Sequence, residues 1–193
     1  MSLQQPPSRP PGPAGHRVGA FVFLLAGAMF FAGLVSAYLV LRFGGPAWPA
    51  PGLPRLPVRL AGFNTVVIAL SSLTLFRAMR ALRALDAAGL RRGLALSAGL
   101  GAAFLALQIV QWRSLLAGGL SFAGTTYGST FYVITGAHAA HAVGGVGWLV
   151  WMALSQRAAW VTDRRSRGLE AGAMYWHFVG LVWVGLYVVL YLL

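Results

Sequence analysis

Three histidines carry what chemistry this sequence places inside apolar runs. His138 and His141 lie three residues apart in FYVITGAHAAHAVGGVGW, residues 131–148, and His177 follows in Tyr175-Trp176-His177-Phe178-Val179. At about 100° per residue, positions three apart on a helix diverge by only about 60°, so Thr135, His138 and His141 fall close to one face. Imidazoles on membrane helices serve elsewhere as heme or copper ligands. The count argues against that role here: no cysteine or membrane carboxylate completes a copper site, and His138 and His141 sit too close on one helix to ligate a single heme from both faces. The alternative is neutral imidazoles hydrogen-bonded between the fourth and fifth helices, which would satisfy ring nitrogens inside the protein and fix that helix pair in one register.

The elements that must position these side chains are membrane spans. The 193 residues are 58% hydrophobic and only 9% charged, the composition of an integral membrane protein with one domain. A net charge of +12 would suit nucleic acid if the basic residues formed a patch, but all fifteen are arginines placed at the edges of apolar runs. They read as topology signals, and no nucleic-acid partner is expected. The absence of cysteine excludes disulfides, thiolate zinc sites, iron–sulfur clusters and thioether-attached heme. Asp86, Asp163 and Glu170 all lie in or beside charged connections, leaving no paired acids in the membrane for acid–base work or a proton relay. No catalytic, metal-binding or cofactor-binding residue is assigned.

Along the chain, residues 1–16 are proline-rich and read as a disordered tail, and residues 17–193 form a single transmembrane domain. The predicted helices cover about 18–41, 60–76, 93–112, 127–155 and 171–193, each a charge-free run of spanning length. A proline-rich connection follows the first. Basic connections fall at Arg77–Arg92 and Gln156–Leu169. The second span is the most polar, and its Asn64 reads as interhelical glue. In the fourth, Gly136, Ala140 and Gly144 make a small-residue packing seam, with Ala137, His141 and Gly145 in the next row. Trp176, Gly180, Trp183, Tyr187 and Tyr191 line one side of the fifth. With the N-terminus in the cytoplasm, eleven arginines fall inside and four outside, so the positive-inside rule places the C-terminus outside. The fold class is therefore all-α, a bundle of five transmembrane helices.

The stretches FVFLLAGAMFFAGLVSAYLVLR, FNTVVIALSSLTL, LQIVQW, YGSTFYVITGAHAAH and LEAGAMYWHFVGLVW, in that order, resemble the signatures of subunit III of the heme-copper oxidases in its short five-helix form. The resemblance covers nearly all of residues 17–193. It implies a non-catalytic subunit of a terminal oxidase of aerobic respiration in the bacterial cytoplasmic membrane. Such a subunit packs beside subunits I and II, binds structural phospholipid in a cleft, and leaves heme and copper to the catalytic partner. His138, His141, Trp176 and His177 would then maintain the subunit's interior. The sequence departs from the family at three positions, where Gly27, Gln111 and Gly180 stand in place of acidic residues, while Glu170 matches a family acid. Related readings are the equivalent quinol oxidase subunit and a nitric oxide reductase accessory protein; Asn64-Thr65 with Gln108 and Trp112 lean toward the cytochrome c type. A stand-alone transporter would need intramembrane charge or inverted repeats, and a histidine metalloenzyme would need stoichiometric metal.

Overall fold

The computed structural model describes residues 13–44, 48–49, 52–155 and 163–193, with side chains from residue 18 in the first helix and from residue 168 in the last. The helices are α1 (Pro13–Gly44), α2 (Val58–Arg83), α3 (Ala87–Ala117), α4 (Thr126–Leu154) and α5 (Asp163–Tyr187), the last continued by a π-helical turn at Val188–Leu192. All five are long and apolar enough to cross a membrane, and no strand occurs among the described residues. α5 packs on α1, α2 and α4, α2 pairs with α3 along its length, and α1 rests on α4 and α5.

Four of the five helices outrun their charge-free windows; α4 matches its own to within a residue at each end. Charge ends the hydrocarbon span but not the helix, since arginine is a good helix former and its stem reaches back to the headgroups. Arg77–Arg92, read from sequence as a loop, is mostly helical: α2 runs to Arg83, and only residues 84–86 separate it from α3. Asp86 caps α3, its carboxylate accepting from the Gly89 N–H at 2.8 Å. Thr125 does the same for α4, accepting from Gly128 at 3.1 Å. At the other end of the chain, residues 13–16, assigned from sequence to the tail, belong to α1, which opens on a proline suited to a first helical turn. The rest of the proposed tail, and residues 156–162 of the second basic connection, lie outside the described residues.

The polarity of the molecule is that of a protein whose solvent is lipid. Its surface presents Phe21, Phe23, Met29 and Leu181, each more than 60% exposed, whereas Asn64, Ser71, Ser97, Gln108, Gln111, Thr135 and His138 are buried. Hydrocarbon offers no hydrogen bonds, so polar side chains face one another and apolar ones face out. Two apolar clusters close the interior. One gathers Met79, Leu90, Leu149 and Leu169 near the α2–α3 connection, and the other gathers Tyr38, Leu120, Tyr127 and Leu190 at the opposite end.

Candidate functional site

The candidate site is the polar interior between these clusters, and it is built from a repeated unit. Three indoles donate to a hydroxyl, and each hydroxyl donates to a backbone carbonyl. Trp176 Nε1 reaches Ser71 Oγ at 3.0 Å, and Ser71 donates to the Ser97 carbonyl at 2.8 Å, so α5, α2 and α3 are joined in one chain. Trp183 Nε1 reaches Thr65 Oγ1 at 3.0 Å, which donates to the Ala61 carbonyl at 2.9 Å. Trp112 Nε1 reaches Thr135 Oγ1 at 3.1 Å, which donates to the Phe131 carbonyl at 2.7 Å. A hydroxyl on a membrane helix that bonds back to its own turn keeps its lone pairs free for an incoming N–H. Asn64 Nδ2 adds a bond to the Phe104 carbonyl at 3.2 Å, and Gln111 Nε2 donates to the Tyr191 hydroxyl at 2.8 Å.

The histidines divide among different partners. His138 Nε2 lies 3.0 Å from the Val179 carbonyl; a carbonyl only accepts, so the proton is on Nε2. This links α4 to α5. Its ring sits among Phe31, Phe104 and Trp183. His141 Nδ1 turns back on its own helix, 2.7 Å from the Ala137 carbonyl, and its ring packs against Phe30 and Phe31 of α1. The α4–α5 link at this level is made by Tyr175, whose hydroxyl donates to the His141 carbonyl at 2.9 Å. His177 faces α2: its Nδ1 shares a 2.6 Å hydrogen bond with Ser72 Oγ. Of the imidazole bonds expected between α4 and α5, His138 makes one, while His141 bonds back to its own helix and His177 to α2, because α5 stands between α2 and α4 and presents successive residues to different neighbours. Among the described residues no group of three or more His, Cys, Asp or Glu side chains could hold a metal ion.

Close helix approaches occur at glycines other than the predicted seam. A Cβ on Gly145 would lie 2.5 Å from Trp176 Cε3, one on Gly101 2.7 Å from Val146 Cγ2, and one on Gly93 2.6 Å from Ala78 Cβ. Gly172 is likewise closed off by the Trp148 ring. Gly136 has open space around it, Gly144 has only the Tyr175 hydroxyl at 3.8 Å, and Ala140 is exposed, so this row faces away from the bundle. Of the three positions that depart from the acidic pattern, Gly27 abuts the Phe178 ring, with a Cβ at 3.2 Å, and Gly180 leaves its Cβ direction 3.7 Å from Ser72 Oγ. Gln111 is fully buried.

Residues 11–193 match the family described as cytochrome c oxidase subunit III. The chain belongs to that family. Among its relatives, cytochrome c oxidase subunit 3 of Synechocystis sp. is 36% identical over 176 residues, covering 91% of this chain and 74% of the relative. A probable cytochrome c oxidase subunit 3 of Nocardia farcinica is 34% identical over 175 residues, 90% and 86% of the two chains. Cytochrome c oxidase subunit 3 of Danio rerio is also 34% identical over an alignment of 188 residues, with 94% of this chain and 71% of that one covered. Within this subunit III, sequence reasoning singled out Asn64, Thr135, His138, His141, Trp176 and His177, and the interior brings all six into hydrogen bonds or ring contacts. It missed Ser97 and placed Gly145 only in the second packing row. The only signal for Ser97 was a solitary hydroxyl in an otherwise apolar stretch of α3, and Gly145 lay in the row next to the one favoured.

Proposed function

We propose that this chain is the non-catalytic subunit III of a bacterial heme-copper terminal oxidase that uses cytochrome c, holding subunits I and II in a stable complex and carrying structural phospholipid. Heme and copper reside in the catalytic partner, and the chain crosses the cytoplasmic membrane with its N-terminus inside. The observation that carries the reading is the family match across residues 11–193 together with a five-helix bundle whose polar interior is spent on joining helices to one another. Eleven arginines against four support the orientation. Gly136, Ala140 and Gly144, open on the chain's own surface, form the seam for a helix of a partner subunit, since small residues let backbones approach closely.

His141 supplies a test. It holds α1 through Phe30 and Phe31, so His141→Ala should lower the yield of assembled complex while leaving the heme absorption bands of the assembled fraction unchanged. Altered bands in intact complex would place a cofactor beside His141 and overturn the non-catalytic assignment.

A further inference from the structure

α2 and α3 end alike, in a hydrogen-bond pattern that turns the chain through one left-handed residue. At the end of α3 the Leu120 N–H donates to the Leu115 carbonyl at 2.9 Å and the Gly119 N–H to the Leu116 carbonyl at 3.0 Å, with Gly119 at φ 91°. At the end of α2 the Asp86 N–H donates to the Ala81 carbonyl at 2.9 Å and the Leu85 N–H to the Leu82 carbonyl at 3.1 Å, with Leu85 at φ 58°. Glycine suits this position because it has no Cβ, and leucine there is strained. Among the described residues Leu85 is the one residue other than glycine with a positive φ. Nothing within the chain offsets that strain. In the α3 turn Leu115 and Leu120 are both buried in one apolar cluster. In the α2 turn the place of Leu120 is taken by Asp86, which caps α3, and the Leu85 side chain is 69% exposed.

Hydrocarbon does not cover that side chain either. The charge-free run of α3, Gly93–Trp112, is 20 residues long and by itself crosses a bilayer core of ~30 Å. Residues 87–92 carry the helix ~9 Å farther, past a headgroup layer of ~5–7 Å in each leaflet. Leu85 therefore stands in water at the tip of the α2–α3 hairpin. Arg80, Arg83, Arg91 and Arg92 beside it are exposed, and Asp86 is the only carboxylate between Arg77 and Arg92. Positive charge at this end serves topology, but topology does not call for a strained leucine presented to water. Strained residues persist where function uses them. An apolar side chain flanked by guanidinium groups is complementary to an apolar pocket rimmed by carboxylates. We propose that Leu85 is a docking knob outside the bilayer, seated in an apolar, acid-rimmed pocket on the water-exposed surface of a partner subunit, with the arginines of the hairpin facing the rim. Docking of this kind presupposes the assembly of this chain with subunits I and II, and adds an aqueous contact to those made within the membrane.

The test places the photo-crosslinking residue p-benzoylphenylalanine at position 85 of the full chain. Native membranes are irradiated, the complex is purified through a tag on this chain, and crosslinked peptides are mapped by mass spectrometry. The expected product joins position 85 to one subunit of the complex, at apolar residues with Asp or Glu beside them. Crosslinks to lipid alone, or none in a complex recovered with its heme-bearing partner, would overturn the docking proposal and leave the subunit III assignment standing. A chain recovered without partners would overturn both. Leu85→Gly and Leu85→Asn supply a second readout, since both residues accept the left-handed turn. The chain alone in detergent should melt no lower than wild type with either substitution, while dissociation of the complex on dilution should show association weakened about tenfold or more, the effect of withdrawing one buried leucine. Association equal to wild type in both variants would overturn the proposal, and so would a loss of association matched by a lower melting point of the chain alone.

Discussion

Gly144 and Gly145 are adjacent on α4, and replacing each in turn by alanine separates the inward packing of the bundle from its outer face. A Cβ at 145 would stand 2.5 Å from Trp176 Cε3 and 2.7 Å from Cζ3, while one at 144 meets only the Tyr175 hydroxyl at 3.8 Å. Trp176 has no room to swing aside: it is fully buried, and its indole is tied to Ser71 at 3.0 Å. Overpacking of this kind costs about 1–3 kcal/mol. The gain in helix propensity from glycine to alanine, about 1 kcal/mol in water, is common to both variants and cancels in their difference. For a chain of this size each kcal/mol moves the unfolding midpoint by about 2–4 °C, so Gly145→Ala should melt about 2–12 °C below Gly144→Ala. Thermal unfolding followed by tryptophan fluorescence, in one detergent, measures this. Equal midpoints, or a lower one for Gly144→Ala, would show that α4 is rotated from the packing described.

Two further substitutions address the interior and a helix end. Trp176→Phe keeps most of the ring but removes the N–H that joins α5 to Ser71, and should cost about 1–3 kcal/mol for the lost bond and the space left; an unchanged midpoint would remove the relay from the list of forces holding α5. Asp86→Ala deletes the cap of α3 and should cost about 1 kcal/mol, with Asp86→Asn recovering most of it. Destabilisation by Asn as large as that by Ala would point to charge, and not capping, as the contribution of Asp86.

Five spans were legible because each long charge-free run must be helical in lipid, and Asn64, Thr135 and His138 were legible because a polar side chain in such a run must turn inward. What charge patterning could not give was where helices stop. Arg77, Arg80 and Arg83 end a hydrocarbon span yet continue α2, so the break at residues 84–86 was hidden inside a basic stretch. The partners of the histidines were hidden for a different reason. His177 and Trp176 are adjacent, yet one meets Ser72 and the other Ser71 on the same helix, and that choice is set by how α5 is rotated against α2, which depends on every contact along the pair. Two rows of small residues on α4 look alike in sequence, and only the placement of Trp176 distinguishes Gly145, which it covers, from Gly144, which it leaves open.

The membership of this chain in a working oxidase is tested most directly by purifying it through a tag in mild detergent, identifying the accompanying proteins, and recording a reduced-minus-oxidised spectrum. The expected result is a large multi-span partner with heme bands and a second partner that receives electrons from cytochrome c. A colourless chain recovered alone, under conditions that keep known respiratory complexes intact, would contradict the role proposed.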